Sequence, residues 1–180
     1  MIEFTQFPKI ARLSREVIVT EKIDGTNGTI YIGEDGEFLV GSRKRWITPE
    51  NDNHGFARWA YDHKDELIKG LGVGWHRGEW WGSGIQRGYG LQNGEKRFSL
   101  FNTSRWNDKT KPKCCHVVPE LYVGHMSTGE IDMCLHRLSI NGSEAAHGFM
   151  RPEGVVVYHT AGNVMFKKTL GNDGHKGGAK

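Results

Sequence analysis

The sequence predicts one α+β domain, mostly antiparallel, with two main helices. Three observations carry that reading. Short runs rich in β-branched residues alternate with tight-turn signals such as Asp24-Gly25 and Glu34-Asp35-Gly36-Glu37. Two longer segments repeat apolar residues at three- and four-residue steps. Glycine fills 25 of 180 positions without a three-residue period, about twice the usual share, which suits many turns and excludes collagen.

The elements follow in order. Val17 to Ile23 reads as a strand ending at Asp24-Gly25, and Thr29 to Ile32 and Phe38 to Ser42 read as a hairpin. A helix is expected from His54 to Gly70, where Phe56, Trp59, Ala60, His63 and Leu67 share a face, Asn53 caps the start and Gly70 the end. Val73 to Trp81 and Arg97 to Phe101 are strands flanking a glycine-rich turn region, and Val117 to Val123 is another strand. Ser127 and Glu130 have capping-box spacing ahead of the stripe Ile131, Cys134, Leu135 and Leu138, which marks a second helix. Two closing strands, Gly154 to His159 and Val164 to Leu170, meet at Ala161-Gly162-Asn163. Residues 1–170 are expected to form one domain and 171–180 a frayed tail.

Hydrophobic residues make up 37% and charged residues 25%, a balance that folds rather than stays disordered. The net charge of +3 permits a nucleic-acid partner without requiring one. No apolar run is long enough to span a bilayer, and Met1-Ile2-Glu3-Phe4 does not begin an export signal. Three cysteines, two of them adjacent, cannot all pair internally, so a reduced, cytoplasmic setting is expected. Cys114-Cys115-His116 is a poor zinc site, because adjacent cysteines do not easily ligate one tetrahedral ion.

The most informative segment is Glu21-Lys22-Ile23-Asp24-Gly25-Thr26-Asn27-Gly28. The strand period of two puts Lys22 and Asp24 on one face, at the rim of a cleft. At this point the chain resembles the covalent nucleotidyltransferases, the polynucleotide ligases and RNA capping enzymes, whose first motif is Lys-x-Asp-Gly. Further matches follow in family order. They are Gly41-Ser42-Arg43, then Arg77-Gly78-Glu79-Trp80-Trp81-Gly82 with Gly84-Ile85-Gln86 and Tyr89, then Phe98 with Phe101-Asn102, Glu153-Gly154-Val155-Val156 and Phe166-Lys167-Lys168. The Thr26-Asn27 pair and the Gly-Ile-Gln run look most like the RNA ligases that seal breaks in duplex RNA, a branch known from phages and mitochondrial RNA editing.

The resemblance implies an ATP-grasp-like adenylation fold and an RNA ligase that uses ATP with Mg²⁺ or Mn²⁺. Lys22 would carry AMP as a phosphoramidate, Glu79 would accept hydrogen bonds from the ribose, and Glu153 would serve metal-assisted phosphate chemistry. Free lysine, with a pKa of about 10.4, is almost wholly protonated at pH 7, so nucleophilic attack needs a neighbouring cation or a metal. Lys167 and Lys168 are the candidates, and their adjacency departs from the commoner Lys-x-Lys. Asp24 either orients Lys22 or simply forms the turn. Phe101 is either core, as its period suggests, or the surface on which adenine stacks. Glu21 is expected near the base or the metal.

Arg43-Lys44-Arg45-Trp46 combines three cations with an aromatic ring, and Arg105-Trp106 through Lys113 repeats the pattern. Such clusters can follow a phosphate backbone. Asn27 and Arg43 are the candidates for the ends being joined, with Asn27 near the 5′-phosphate. The expected partner is RNA, as a nicked duplex or paired ends rather than free single strands, bound by a monomer. Relatives usually carry a further C-terminal domain; none is expected here, so a helper protein is a candidate substitute. A phage-encoded version would work in the host cytoplasm. A DNA ligase, a guanylyltransferase of the capping type and a non-catalytic RNA end-binding module remain as alternatives.

Overall fold

The computed structural model describes residues 2–171; of the expected tail, only Gly171 lies among them. The first strand, β1 (Glu16–Lys22), leads through the Asp24-Gly25 turn into β2 (Thr26–Ile32), β3 (Phe38–Gly41) and β4 (Trp46–Ile47). Helices α1 (Phe56–Asp62) and α2 (Lys64–Leu71) follow, then β5 (Gly74–Gly82), a single 3₁₀ turn at Gly88–Gly90 and β6 (Lys96–Leu100). The chain continues through β7 (His116–Val117), β8 (Glu120–His125), α3 (Thr128–Asn141), β9 (Gly154–His159) and β10 (Val164–Thr169).

The strands form two sheets. One has six strands in the order β4-β3-β2-β5-β6-β7, the other four in the order β10-β9-β1-β8. Pairing is antiparallel except between β6 and β7. The α+β class and the antiparallel bias expected from the sequence are therefore what the chain adopts. Among the described residues no helix is long and apolar enough to cross a membrane.

Each sheet buries one face under helices. The six-stranded sheet covers Ile30, Ile32, Trp80, Phe98 and Leu100 with Phe56, Ala60, Leu67 and Leu71 of α1 and α2. The four-stranded sheet packs Val17, Val19, Val155 and Val157 against Ile131, Leu135 and Leu138 of α3. Each such aliphatic side chain contributes about 1.5–3 kcal/mol by leaving water. A third cluster, Ile23, Trp81, Tyr89, Val118 and Ala146, joins the sheets where β1 turns into β2. The opposite faces of the sheets stay available for a site.

Two expectations are corrected. The helix read from His54 to Gly70 is two helices broken at His63, whose φ of −108° and ψ of 15° interrupt the ladder, and the second runs to Leu71 with Gly72 as its C-cap. Among the described residues this makes three helices instead of two. The start is capped by Asp52, not Asn53: Asp52 Oδ1 accepts from the Ala57 amide at 2.7 Å and Oδ2 from the Arg58 amide at 3.0 Å. Asn53 donates instead to Thr26 Oγ1. The strand read from Val117 to Val123 divides at Val118-Pro119, with β7 in one sheet and β8 in the other. Proline has no amide hydrogen for a ladder, and here its carbonyl receives the Glu21 amide at 2.9 Å.

Candidate active site

Lys22 is the last residue of β1, and its partner across the sheet is Gly154, the first of β9. That register brings the preceding Glu153 beside it. Lys22 Nζ donates to Glu153 Oε2 at 2.7 Å, with both side chains partly buried. A side chain at Gly154 would strike the carbonyl of Lys168 on β10, so glycine keeps the three strands close at this point. The immediate neighbour of Lys22 is thus an anion.

The turn after β1 is held from three sides. The Asp24 amide donates to Tyr89 Oη at 2.8 Å, and the Gly25 amide donates to Glu79 Oε1 at 3.0 Å. Asp24 Oδ2 accepts from Arg87 Nε at 2.9 Å. Glu79 Oε2 also accepts from the Asn27 side-chain amide at 3.2 Å, as expected for residues directly opposed on β5 and β2. Glu79 is 9% exposed. Burial pushes its carboxyl up to about 7, against the opposing pull of the Gly25 amide and the Lys22 charge, with Glu153 and Asp24 adding to the rise. Burial likewise pushes the Tyr89 hydroxyl well above its ordinary value.

Register separates the two terminal lysines. Lys167 lies opposite Val156, which lies opposite Thr20; Lys168 lies opposite Val155, which lies opposite Glu21. Directly opposed residues project to the same side of a sheet. Lys167 therefore shares the face of Thr20 and Lys22, two strands or about 10 Å away. Lys168 projects to the other side, where it pairs with Asp132 of α3.

The same alternation turns Glu21 away from Lys22. It is 1% exposed and accepts hydrogen bonds from Ser143 Oγ at 2.6 Å, the Glu144 amide at 2.8 Å and the Ala145 amide at 3.0 Å. Glu21, expected near the base or the metal, has its carboxylate on the side of the strand away from Lys22, where it anchors the loop after α3.

Residues 15–169 match the family model described as RNA ligase. The chain belongs to the RNA ligase family. Among solved structures, a Naegleria gruberi RNA ligase variant with ATP and Mn shares its fold at a TM-score of 0.62 and 19% identity, covering 87% of this chain and 50% of that one. A second variant of that ligase, with AMP and Mn, gives 0.60 at 19% identity with the same coverage. The chain thus spans about half the length of these structures. No curated protein matches it.

Within this RNA ligase family member the structure gathers Lys22, Asp24, Asn27, Glu79 and Glu153 around one turn. It leaves Arg43, Lys44 and Arg45 exposed in the loop between β3 and β4. Phe101 stands one residue beyond β6, 40% exposed, with its amide donating to the Arg77 carbonyl at 3.0 Å. That exposure excludes a core role for Phe101. A separate concavity of about 740 Å³ is lined by Ser99, Trp106, Val118, Ser143 and Glu144 among others, and does not include Lys22 or Glu79. The site is defined by its convergent polar groups and not by this cavity.

Sequence reasoning missed Arg87. Its Nη1 donates to the carbonyls of Arg151 at 2.9 Å and Pro152 at 3.2 Å while Nε holds Asp24. One guanidinium thereby ties the Lys22 turn to the segment that delivers Glu153. The only available signal was its place inside the Gly-Ile-Gln motif, at a position that the motif leaves open.

Proposed function

We propose that this protein is the adenylation unit of an ATP-dependent RNA ligase, with residues 1–170 as one nucleotidyltransferase domain and Lys22 as the nucleophile. The observation that carries the reading is the position of Lys22 Nζ, 2.7 Å from Glu153 on a face shared with Lys167 and bordered by Glu79.

In the first step the Lys22 ammonium gives up one proton to solvent, and the resulting neutral amine attacks the α-phosphorus of ATP. An N–P bond forms, the bond to the bridging oxygen breaks, and pyrophosphate leaves with the electron pair. The amine's proton passes to solvent. An RNA 5′-phosphate oxygen then takes AMP from Lys22, and a 3′-hydroxyl displaces AMP to close the phosphodiester. Glu79 accepts from the ribose hydroxyls, Phe101 offers an exposed ring to adenine, and Lys167 faces the phosphates. Glu153 holds Nζ in line before ATP arrives. Asp24 and Arg87 fix the turn, and Asn27 and Arg43 meet the RNA ends.

Mg²⁺ or Mn²⁺, when bound, supplies neutralisation of phosphate charge. Glu153 is the oxygen donor that would hold such an ion, its partly exposed carboxylate leaving the other positions to water and substrate phosphates. Among the described residues no three His, Cys, Asp or Glu side chains are grouped to enclose a metal.

Incubation with α-phosphate-labelled ATP followed by denaturing electrophoresis tests the proposal. The unaltered protein should acquire covalent label and Lys22→Ala should acquire none. Label retained in Lys22→Ala would show another nucleophile, and label from GTP alone would point to the capping-type reaction. Sealing of a nicked RNA duplex, but not nicked DNA, should follow.

A further inference from the structure

The face of the six-stranded sheet that carries Asn27 and Glu79 continues away from Lys22 as a strip of aromatic and cationic side chains. Register places Thr29 opposite Arg77, Tyr31 opposite Trp75, and Gly41 opposite both Thr29 and Trp46. Trp46 and Trp75 stack with ring centroids 5.6 Å apart and planes 25° from parallel. Tyr31 packs on Trp75 at 4.9 Å, and the Arg77 guanidinium lies 5.7 Å from the Trp75 ring.

These rings are not core. Trp46 is 46% exposed and Trp75 56%, and Arg77 is exposed between Trp75 and Glu79 on the same strand. Arg43, Lys44 and Arg45, also exposed, follow Gly41 and so border the strip on its Asn27 side. Along β2 and β5, Glu79 is the only acid on this face. A surface of half-exposed indole rings and cations, with Glu79 as the acid at the reaction end, complements a chain that alternates flat bases with phosphates.

We propose that Trp46, Trp75, Tyr31 and Arg77 form a stacking track for unpaired nucleotides next to the paired RNA end that reaches Lys22. The inference rests on the ligase reading above and names how its substrate is held. Trp75 and Glu79 are four residues apart on β5, about 13 Å, a span of about four stacked nucleotides at 3.4 Å each. Bases continue the indole stack, while Arg77 and the Arg43–Arg45 loop meet the phosphates between them.

The test is fluorescence anisotropy of an end-labelled oligouridine of about twelve nucleotides, compared with a fully paired RNA duplex. Trp46→Ala combined with Trp75→Ala should weaken oligouridine binding at least tenfold while changing duplex binding less than about twofold, and Trp75→Phe should keep most of the affinity. Arg77→Gln should reduce the slope of log K against log salt by about one. In the unaltered protein, oligouridine should quench the exposed tryptophan fluorescence, a readout that does not depend on the double variant folding. Unchanged oligouridine affinity in a folded double variant, equal losses for both probes, or no quenching would overturn the track. ATP labelling of the unaltered protein scores the Lys22 reading separately: its failure leaves RNA binding on the track measurable, and failure of the track leaves labelling measurable.

Discussion

Arg87 and Asp24 are 63 residues apart in sequence yet joined at 2.9 Å, and the same guanidinium binds the two carbonyls just before Glu153. The two halves of the Lys22–Glu153 pair come from different chain segments, and this side chain braces the separation that the β1–β9 register sets. It touches neither member of the pair, which makes it a positioning residue.

Arg87→Ala should therefore slow labelling of Lys22 by about tenfold or more, since small misplacements of reacting groups cost that much. The loss in stability should stay below about 1 kcal/mol, because an ion pair this exposed contributes little. Arg87→Lys should not restore the rate, as an ammonium cannot span a carboxylate and two carbonyls with the geometry of a planar fork. Labelling time courses beside urea unfolding would separate the effects. Unchanged labelling in Arg87→Ala would remove the positioning role.

Lys167 and Lys168 are neighbours in sequence on opposite sides of the sheet. Lys167→Ala should reduce ATP labelling by about a hundredfold, the cost typical of losing one group aimed at developing charge. Lys168→Ala should lose only an exposed pair with Asp132, less than about 1 kcal/mol of stability, and leave labelling within about twofold. The reverse order of effects would contradict the register argument.

Buried Glu79 gives the protein a pH dependence of defined sign. The unfolded chain releases this proton near its ordinary 4.5, whereas the folded protein holds it up to about 7. Between those values the folded state binds more protons, so stability is complete at low pH and falls as pH rises through the window. The fall amounts to about 3 kcal/mol at most. Burial raises Glu21 as well, in the same direction. Glu79→Gln should flatten much of this slope when urea midpoints are compared at about pH 5 and 7.5. A slope as steep as in the unaltered protein would assign the effect elsewhere.

Much of this was written locally in the sequence. The β-branched runs around Val17, Ile30 and Val155 mark strands because they pack on a half-buried pleat, and Ser127 caps α3 by accepting from the Glu130 amide at 3.3 Å. The break at His63 was hidden because Phe56 and Ala60 before it and Leu67 and Leu71 after it face the same core, so the apolar period runs through. Asp52 and Asn53 are chemically alike as caps, and only tertiary contact with Thr26 decides between them. Pro119 did carry a warning against one continuous strand. Arg87 carried only its place beside Gly-Ile-Gln, because its partners are more than 60 residues away.

Glu21 shows how a local rule can outrank a motif. Alternation alone turns it away from Lys22, and there it completes the hydrogen bonding of one hydroxyl and two amides. Glu21→Ala would strand those donors in a dry setting, at about 1–3 kcal/mol for each left unpaired, though relaxation and water entry offset part of the sum. We expect about 3 kcal/mol of destabilisation, or a melting temperature lower by about 6–12 °C for a chain of this size. Below that transition the variant should still take label from ATP at Lys22, because the carboxylate is on the far side of the strand. Thermal melting and labelling at low temperature check both halves. A normal melting temperature with labelling abolished would return Glu21 to the nucleotide site.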